Sequence, residues 1–187
     1  MLDILPNGDE APGAASAPLN PFSCANVIAI LSEKGRIAGD PDEKQLVWCA
    51  RAAALLGPQS ADLTALSQLL ELVFRYDAHA VLQTIEAHVV MSRYAARDVL
   101  RRLALLLLDG TELTTDRFRV IIDQLKSGLD IRGRELFHPL RLVLAGRSGE
   151  GELDRVILLL DDAASAGFAV PVKTARERIL EFCAALD

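Results

Sequence analysis

The amino-acid sequence predicts an all-α protein, a bundle or cage of about eight helices. Apolar residues recur at the three- to four-residue spacing of a helix face, and no segment alternates apolar and polar residues as a half-buried strand would. Hydrophobic residues make up 51% of the 187 residues but aromatic residues only 5%, so Leu, Ala, Val and Ile must fill the interior. That composition favours helices packed on helices.

The N-terminal segment, residues 1–20, is expected to form a flexible arm. It combines Pro, Gly, Ala, Ser and Asn with little periodicity, so little apolar burial offsets the entropy of ordering it. Helices are predicted next at about 21–34 and 42–56. The second follows the acidic string DPDE, ends at Gly57-Pro58 and directs Trp48 inward.

Three further helices are predicted in the first half of the chain. The segment 61–77 repeats Leu and Val at helical spacing, and 78–90 does the same with Val, Leu and Ile. The third, 92–110, opens on Ser92 as a plausible N-cap and closes at Gly110. Its last turns are nearly all apolar, which predicts burial on several sides.

The second half begins with a helix at 114–128 that has a threonine cap and an acidic first turn. A helix containing an internal proline ends at Gly146, and two more are predicted at about 151–162 and 171–186, the last opened by Pro171. We expect residues 21–187 to form one helical domain, with a possible division into subdomains of about 21–110 and 111–187.

Charge is distributed unevenly along the chain. The formal net charge is −6, which argues against a generic polyanion binder. Residues 93–147 reverse the sign, with eleven Lys/Arg against seven Asp/Glu. An anionic ligand is therefore expected in this middle segment if the protein binds one.

Several functional classes are disfavoured by composition. Cys24, Cys49 and Cys183 are widely spaced in apolar patterns, which indicates reduced core thiols. With three histidines and no Cys/His cluster, we expect no metal and no cofactor. No apolar stretch reaches the roughly 20 residues of a membrane span, and the acidic N-terminus is unlike a secretory signal, so a cytoplasmic location is expected.

The proline-containing helix is the most informative segment. Projected at about 100° per residue, its Leu and Val side chains and Phe137 share one arc, and Arg134, His138 and Arg141 line the opposite arc. Pro139 should bend the helix, because it removes an internal hydrogen bond. After Gly146, the turn Arg147-Ser148-Gly149 offers backbone donors and a guanidinium to a phosphate or a base edge.

This segment resembles a known family. GRELFHPLRLVLAGR (133–147) is similar to the pattern KGKxLFxPLRxALTGxxxGPxL in the C-terminal anticodon-binding domain of bacterial glutamyl-tRNA synthetases. The identities are Gly133, Leu136, Phe137, Pro139, Leu140, Arg141, Leu144 and Gly146, with Arg in place of Lys at 132 and 134. GEGEL replaces the usual GPxL, and a longer acidic string replaces the usual chain end.

The resemblance implies an anticodon-binding-domain-like helical cage that holds a tRNA stem and loop. Phe137, Pro139 and Gly146 would be structural residues of that cage. The family's catalytic half, with its ATP motifs, is absent from these residues, so the chain is expected not to be an enzyme. The arginines expected to contact RNA are Arg132, Arg134, Arg141, Arg147, Arg97 and Arg101.

Each of these residues also has a purely structural interpretation. Arg141 would equally satisfy helix-end carbonyls or a carboxylate at the core edge, and the stripe containing Arg101 and Arg102 would pair within its helix, as in Asp98 with Arg102. His138 is expected to be a spacer rather than a catalytic residue.

Two function classes therefore remain. One is a non-catalytic module that binds tRNA or other structured RNA. The other is an interaction or scaffolding domain that binds a protein partner and has lost RNA contact. Convergence of the six arginines on one concave face would favour RNA, and scattering would favour the scaffold.

Overall fold

The computed structural model describes residues 20–186, and within this range it contains helices and no strands, which confirms the all-α prediction. The predicted arm, residues 1–20, lies outside the described range except for Asn20. A short 3₁₀ turn, Gly57–Gln59, follows the second helix. The α-helices are α1 (Cys24–Glu33), α2 (Glu43–Leu56), α3 (Leu63–Phe74), α4 (Ala78–Leu82), α5 (Ile85–Met91), α6 (Ala96–Leu107), α7 (Thr115–Leu129), α8 (Arg134–Ala145), α9 (Glu152–Ile157), α10 (Leu160–Ser165) and α11 (Ala175–Leu186).

Local capping signals explain the helix ends that the sequence predicted well. Asp42 caps α2 by accepting from the Gln45 N–H at 2.9 Å, and Thr114 caps α7 by accepting from the Arg117 N–H at 3.2 Å. Gly146 ends α8 at φ 77°, and its N–H donates to the Leu142 carbonyl. These helix ends depend on residues within one turn of the chain.

Two predicted helices are each divided in two. The segment 78–90 breaks at Thr84, whose hydroxyl donates to the Val81 carbonyl at 2.7 Å and accepts from the Ala87 N–H at 3.1 Å. Thr84 thus ends α4 and caps α5. The segment 151–162 breaks between α9 and α10.

Two predicted helix starts are wrong. Ser92 ends α5 instead of opening α6, because its hydroxyl donates to the Val89 carbonyl at 2.9 Å. Pro171 lies outside α11, which begins after a reciprocal cap: Thr174 accepts from the Glu177 N–H at 3.2 Å, and Glu177 accepts from the Thr174 N–H at 2.7 Å. The T-x-x-E pattern in the sequence carries that signal.

One apolar core runs through the described chain, with buried side chains from Val27 to Phe182. Trp48 points inward as predicted, and its ring N–H donates to the Leu159 carbonyl at 3.1 Å. It packs edge-on against Phe74 and Phe168, with ring centroids 5.7 and 5.1 Å away. This aromatic cluster joins α2, α3 and the segment before α11.

The three cysteines differ in burial. Cys49 lies in the core as predicted, and burial raises the pKa of its thiol to about 12. Cys24 and Cys183 are half-buried and pack against the core, so the prediction of core thiols holds fully for Cys49 and only in part for these two. Among residues 20–186, no helix combines the length and the apolar character needed to cross a membrane.

Candidate anion-binding surface

The N-terminus of α8 presents open backbone donors. Gly133 precedes the helix at φ 57° and ψ −136°, and no side chain caps the first turn. A Cβ built on Gly133 would meet no atom within 4 Å, so the backbone there is accessible. Within the described chain, the first-turn N–H groups of Arg134 and Glu135 have no acceptor. Such a helix end favours an anion, because its donors and its dipole both point outward.

Basic side chains surround this helix end. Arg93, in the turn between α5 and α6, donates to the Arg134 carbonyl at 3.3 Å and contacts Nδ1 of His138 at 3.1 Å. Arg132 and Arg134 lie on either side of Gly133 and are exposed. We call Arg93, Arg132, Arg134 and His138 the α8 basic cluster.

His138 is held neutral within this cluster. Burial and then the charges of Arg93, Arg134 and Arg141 lower its pKa, and Glu150 opposes them weakly. A guanidinium can only donate, so Nδ1 accepts from Arg93 and Nε2 carries the proton. The ring therefore spaces the arginines and keeps one N–H donor.

Among residues 20–186, no carboxylate pairs with the arginines of the cluster. In the part of the chain that the structure describes, no acidic side chain forms an ion pair with Arg93, Arg132 or Arg134. Glu135 follows in the first turn and is exposed. Three uncompensated cations at a helix N-terminus give a local positive potential on an acidic protein.

Arg141 does not belong to this surface. The helical projection placed it on the exposed arc, whereas its side chain is only 9% exposed. It donates twice to the Asp154 carboxylate, at 2.8 Å each, and once to the Gly149 carbonyl at 2.8 Å. Its guanidinium also lies 4.8 Å from the Phe137 ring centroid. Arg141 therefore pairs with a carboxylate at the edge of the core, one of the structural interpretations of the sequence, because α9 brings Asp154 against α8.

The turn after α8 is occupied by an acidic side chain. Glu86 accepts from the backbone N–H of Ser148 at 2.8 Å and from its hydroxyl at 2.5 Å. The sequence predicted that this turn would offer donors to a phosphate, and the Glu86 carboxylate takes the donors of Ser148. The turn is thereby tied to α5.

Arg147 is exposed and lies at the opposite end of α8 from the basic cluster. It lines a groove of about 730 Å³ between α1 and α3, with Lys34, Arg75 and the acidic Glu33 and Glu71. The 12 residues of α8 separate the two ends by about 18 Å.

Arg97 and Arg101 form a third group, on α6. Both line a small pocket against Cys183 and Leu186 of α11, and Arg101 pairs with Asp98 at 3.8 Å. The pair Asp98–Arg102 that the spacing suggested is replaced by this i,i+3 pair. The six predicted arginines therefore do not converge on one concave face, and for the set as a whole this is the outcome that favours the scaffold. They lie in four surroundings: the α8 basic cluster, the ion pair with Asp154, the groove beside α1, and α6.

Sequence reasoning missed Arg93 and Glu86. The predicted start of α6 at Ser92 placed Arg93 inside a helix, although it lies in a turn that faces α8. Arg93 is the first residue of the basic segment 93–147, and that was the available signal. The sequence carries no comparable signal for Glu86, because its partner Ser148 is 62 residues away.

Comparison with known proteins supports a relation to one family. The chain is 28% identical over 139 residues to a glutamate–tRNA ligase of Exiguobacterium sibiricum, an alignment that covers 71% of this chain and 27% of the relative. The chain thus spans about a quarter of that relative's length. No family model and no solved structure matches the chain.

Proposed function

We propose that this chain is a non-catalytic module that binds tRNA or another structured RNA through phosphate contacts at the α8 basic cluster. The observation that carries the proposal is the open, uncapped N-terminus of α8 beside three arginines with no acidic partner in the described chain. The relation to a glutamate–tRNA ligase supports tRNA as the class of ligand.

The chemistry of the cluster suits a phosphate. An arginine fork makes two hydrogen bonds to a phosphate, and backbone N–H groups at a helix N-terminus add further donors. The net charge of −6 should weaken non-specific binding elsewhere, so the cluster would act as a localised site.

The motif on α8 supports a more specific assignment. The residues that resemble the anticodon-binding domain, from Gly133 to Gly146, form α8 and its two ends. The proposed module is therefore anticodon-binding-domain-like. Phe137, which is half-buried with the Arg141 and Lys126 cations 4.8 and 6.0 Å from its ring centroid, and Pro139, which is buried within α8, would maintain its shape.

A filter-binding assay against total tRNA at two or more salt concentrations tests the proposal. Wild-type protein should bind at low salt, and the double variant Arg93→Gln/Arg134→Gln should bind more weakly. For this double variant, the slope of log affinity against log salt should be flatter by about one to two units, because fewer counterions are released when fewer phosphates are contacted. Arg97→Gln/Arg101→Gln removes the same charge from α6 and serves as the matched control.

Two results would contradict the proposal. One is the absence of tRNA binding by wild-type protein at low salt. The other is an equal loss of affinity in both double variants, which would show an effect of net charge alone.

The proposal also includes the absence of catalysis by these residues. The purified chain should show no ATP–pyrophosphate exchange in the presence of glutamate and tRNA. Measurable exchange would overturn this part and leave the RNA-binding part standing.

A second candidate function is a protein-interaction domain, which the scattering of the six predicted arginines favours. On α5, Ile85 and Val89 are 83% and 54% exposed and lie one helical turn apart, so they form a small apolar strip. If this function is the correct one, tRNA binding should be absent at low salt. The double variant Ile85→Glu/Val89→Glu should then lose the protein partner without a change in thermal stability.

A further inference from the structure

The outer side of α6 carries exposed leucines. Leu105 and Leu108 are 61% and 46% exposed, whereas Leu103 and Leu107 of the same helix are buried. At about 100° per residue, Leu105 points almost directly away from the buried side, and Leu108 lies one turn further along the same side. The described part of the chain thus leaves the middle of this apolar stripe uncovered.

The helix α11 packs antiparallel beside α6 and extends the stripe. Arg97 of α6 shares a small groove with Cys183, near the end of α11, and Leu107 shares another with Arg176, near its start. Leu180 lies on the same side of α11 as these two residues, four positions after one and three before the other, and is 38% exposed. We call the following residues the α6 face: Leu105, Leu108 and Leu180.

Charge changes sign along α6 across this face. Arg101 and Arg102 precede Leu105 and are exposed, and Arg102 forms no ion pair within residues 20–186. Asp109 follows at the other end, where the preceding residue keeps helical angles of φ −61° and ψ −31°. The Asp109 side chain pairs with Arg117 through one oxygen and is still 62% exposed. The order basic, apolar, acidic is complementary to its own reversal.

We infer that a second copy of this chain packs on the α6 face, with the two α6 helices antiparallel about a two-fold axis at Leu105. Residues before position 105 in one copy then lie opposite residues after it in the other. Arg101 and Arg102 meet Asp109 of the second copy, all within about 6 Å of the axis along the helix. The leucines fill the centre, and the charges fix the antiparallel register.

The contact does not depend on the proposed RNA binding. The overlap of the two helices, residues 101–109, is about 12 Å long, which is short for a protein interface. Association should therefore be reversible and should increase with protein concentration.

Sedimentation velocity of the full chain, from low micromolar to several hundred micromolar protein, tests the inference. Wild-type protein should shift with concentration toward twice the monomer mass of 20.3 kDa. Leu105→Glu should remain monomeric, because the dimer would bury two carboxylates at the axis. Val120→Glu, on α7 and 54% exposed, is the matched control and should associate like wild type.

A charge reversal tests the register. Arg102→Glu should weaken association at least about tenfold, since it places like charges opposite each other. Arg155→Glu changes the net charge equally at an exposed position of α9 and should weaken association much less. Equal effects of the two variants would overturn the pairing of Arg102 with Asp109.

A cysteine at the axis tests the geometry directly. Packed helix axes lie up to about 10 Å apart and each Cα lies about 2.3 Å from its axis, so the two Cα atoms at position 105 would be about 5 Å apart. That separation suits a disulfide. Leu105→Cys should form a covalent dimer on mild oxidation, whereas Val120→Cys should not.

Three results would overturn the inference. They are a wild-type protein that is monomeric at every concentration, association that Leu105→Glu leaves unchanged, and a Leu105→Cys variant that does not cross-link. Because Leu105 is exposed, its variants should keep the helical circular dichroism spectrum of wild type. None of these measurements uses RNA, so the RNA-binding proposal is tested separately.

Discussion

Arg178 shows how a buried charge can stabilise a fold without an ion pair. It is completely buried and donates to the carbonyls of Leu72 and Val73 at 3.0 and 2.6 Å, and to that of Leu144 at 2.8 Å. These carbonyls belong to the last turns of α3 and α8, where the helix dipole favours a cation. Burial lowers the pKa of Arg178 to about 10, so it remains charged at neutral pH.

Replacing Arg178 should therefore destabilise the protein strongly. Arg178→Met should lower the free energy of unfolding by about 3–5 kcal/mol, because it leaves buried carbonyls without donors. Urea denaturation followed by circular dichroism measures the loss. Arg176→Met, an exposed change on the same helix, is the control, and equal stability of the two variants would contradict this account.

His138 should make stability depend on pH. Its pKa is lowered in the folded protein, so the unfolded chain binds more protons once the pH falls below the ordinary histidine value of about 6.5. Stability contributed at pH 7 is therefore lost as the pH decreases below about 6.5 toward the lowered pKa of the folded state. His138→Gln keeps an acceptor for Arg93 and should lose less stability over that interval.

Urea unfolding at a series of pH values between 5 and 7.5 measures the difference between the two proteins. Carboxylates titrate in both, so the comparison isolates His138. Identical pH dependence would show that the imidazole is not perturbed by the arginines around it.

At the scale of elements, short polar ties set the positions of helix ends. Asp161, at the start of α10, accepts from the Leu113 N–H at 2.7 Å and from the Ala175 N–H at 2.8 Å. It joins the loop before α7 to the first residue of α11. The neighbouring Asp162 pairs with Arg51. The two adjacent carboxylates thus have different partners, backbone N–H groups for Asp161 and a guanidinium for Asp162.

Asp161→Ala should cost about 2–3 kcal/mol in the free energy of unfolding, since two buried backbone donors lose a charged acceptor. Thermal or urea denaturation provides the measurement. Asp116→Ala, an exposed first-turn carboxylate of α7, should cost less than about 1 kcal/mol. A smaller loss for Asp161→Ala than for Asp116→Ala would contradict the assigned role.

Helix α8 shows how the motif and the packing combine. Pro139 lies inside the helix and is buried, and Gly146 ends it in the left-handed conformation. A Cβ at Gly146 would lie 3.4 Å from the Val81 side chain. The motif glycines therefore mark the two ends of α8, one open to solvent and one against α4.

At the scale of the whole molecule, the halves of the chain share one core. Arg178 of α11 binds α3 and α8, and the Tyr76 hydroxyl, after α3, donates to the Val143 carbonyl of α8 at 2.6 Å. We therefore expect unfolding as a single cooperative transition, without the separate subdomains at residue 110 that the sequence left possible.

Two probes test this cooperativity. Fluorescence of Trp48, in the first half, and circular dichroism at 222 nm, which reports all helices, should give coincident denaturation curves. Curves with different midpoints would indicate that the halves unfold independently.

The sequence alone determined the secondary-structure class and several helix ends. Periodic Leu and Val encode helix faces, and Asp42, Thr114 and Gly146 mark helix ends through contacts within one turn. It also located the basic segment and its most informative helix, since both are properties of consecutive residues.

Only the tertiary structure decided which charges are available to a ligand. The helical projection places Arg134 and Arg141 on the same arc. In the structure, Arg134 is exposed at the helix end, whereas Arg141 is bound to Asp154. Arg178 donates to the carbonyls of Leu144 and Leu72, which are 34 and 106 residues away in the sequence. Arg93 contacts His138, which is 45 residues away. The physical reason is that burial and pairing of a long charged side chain depend on neighbouring helices, which local periodicity does not specify.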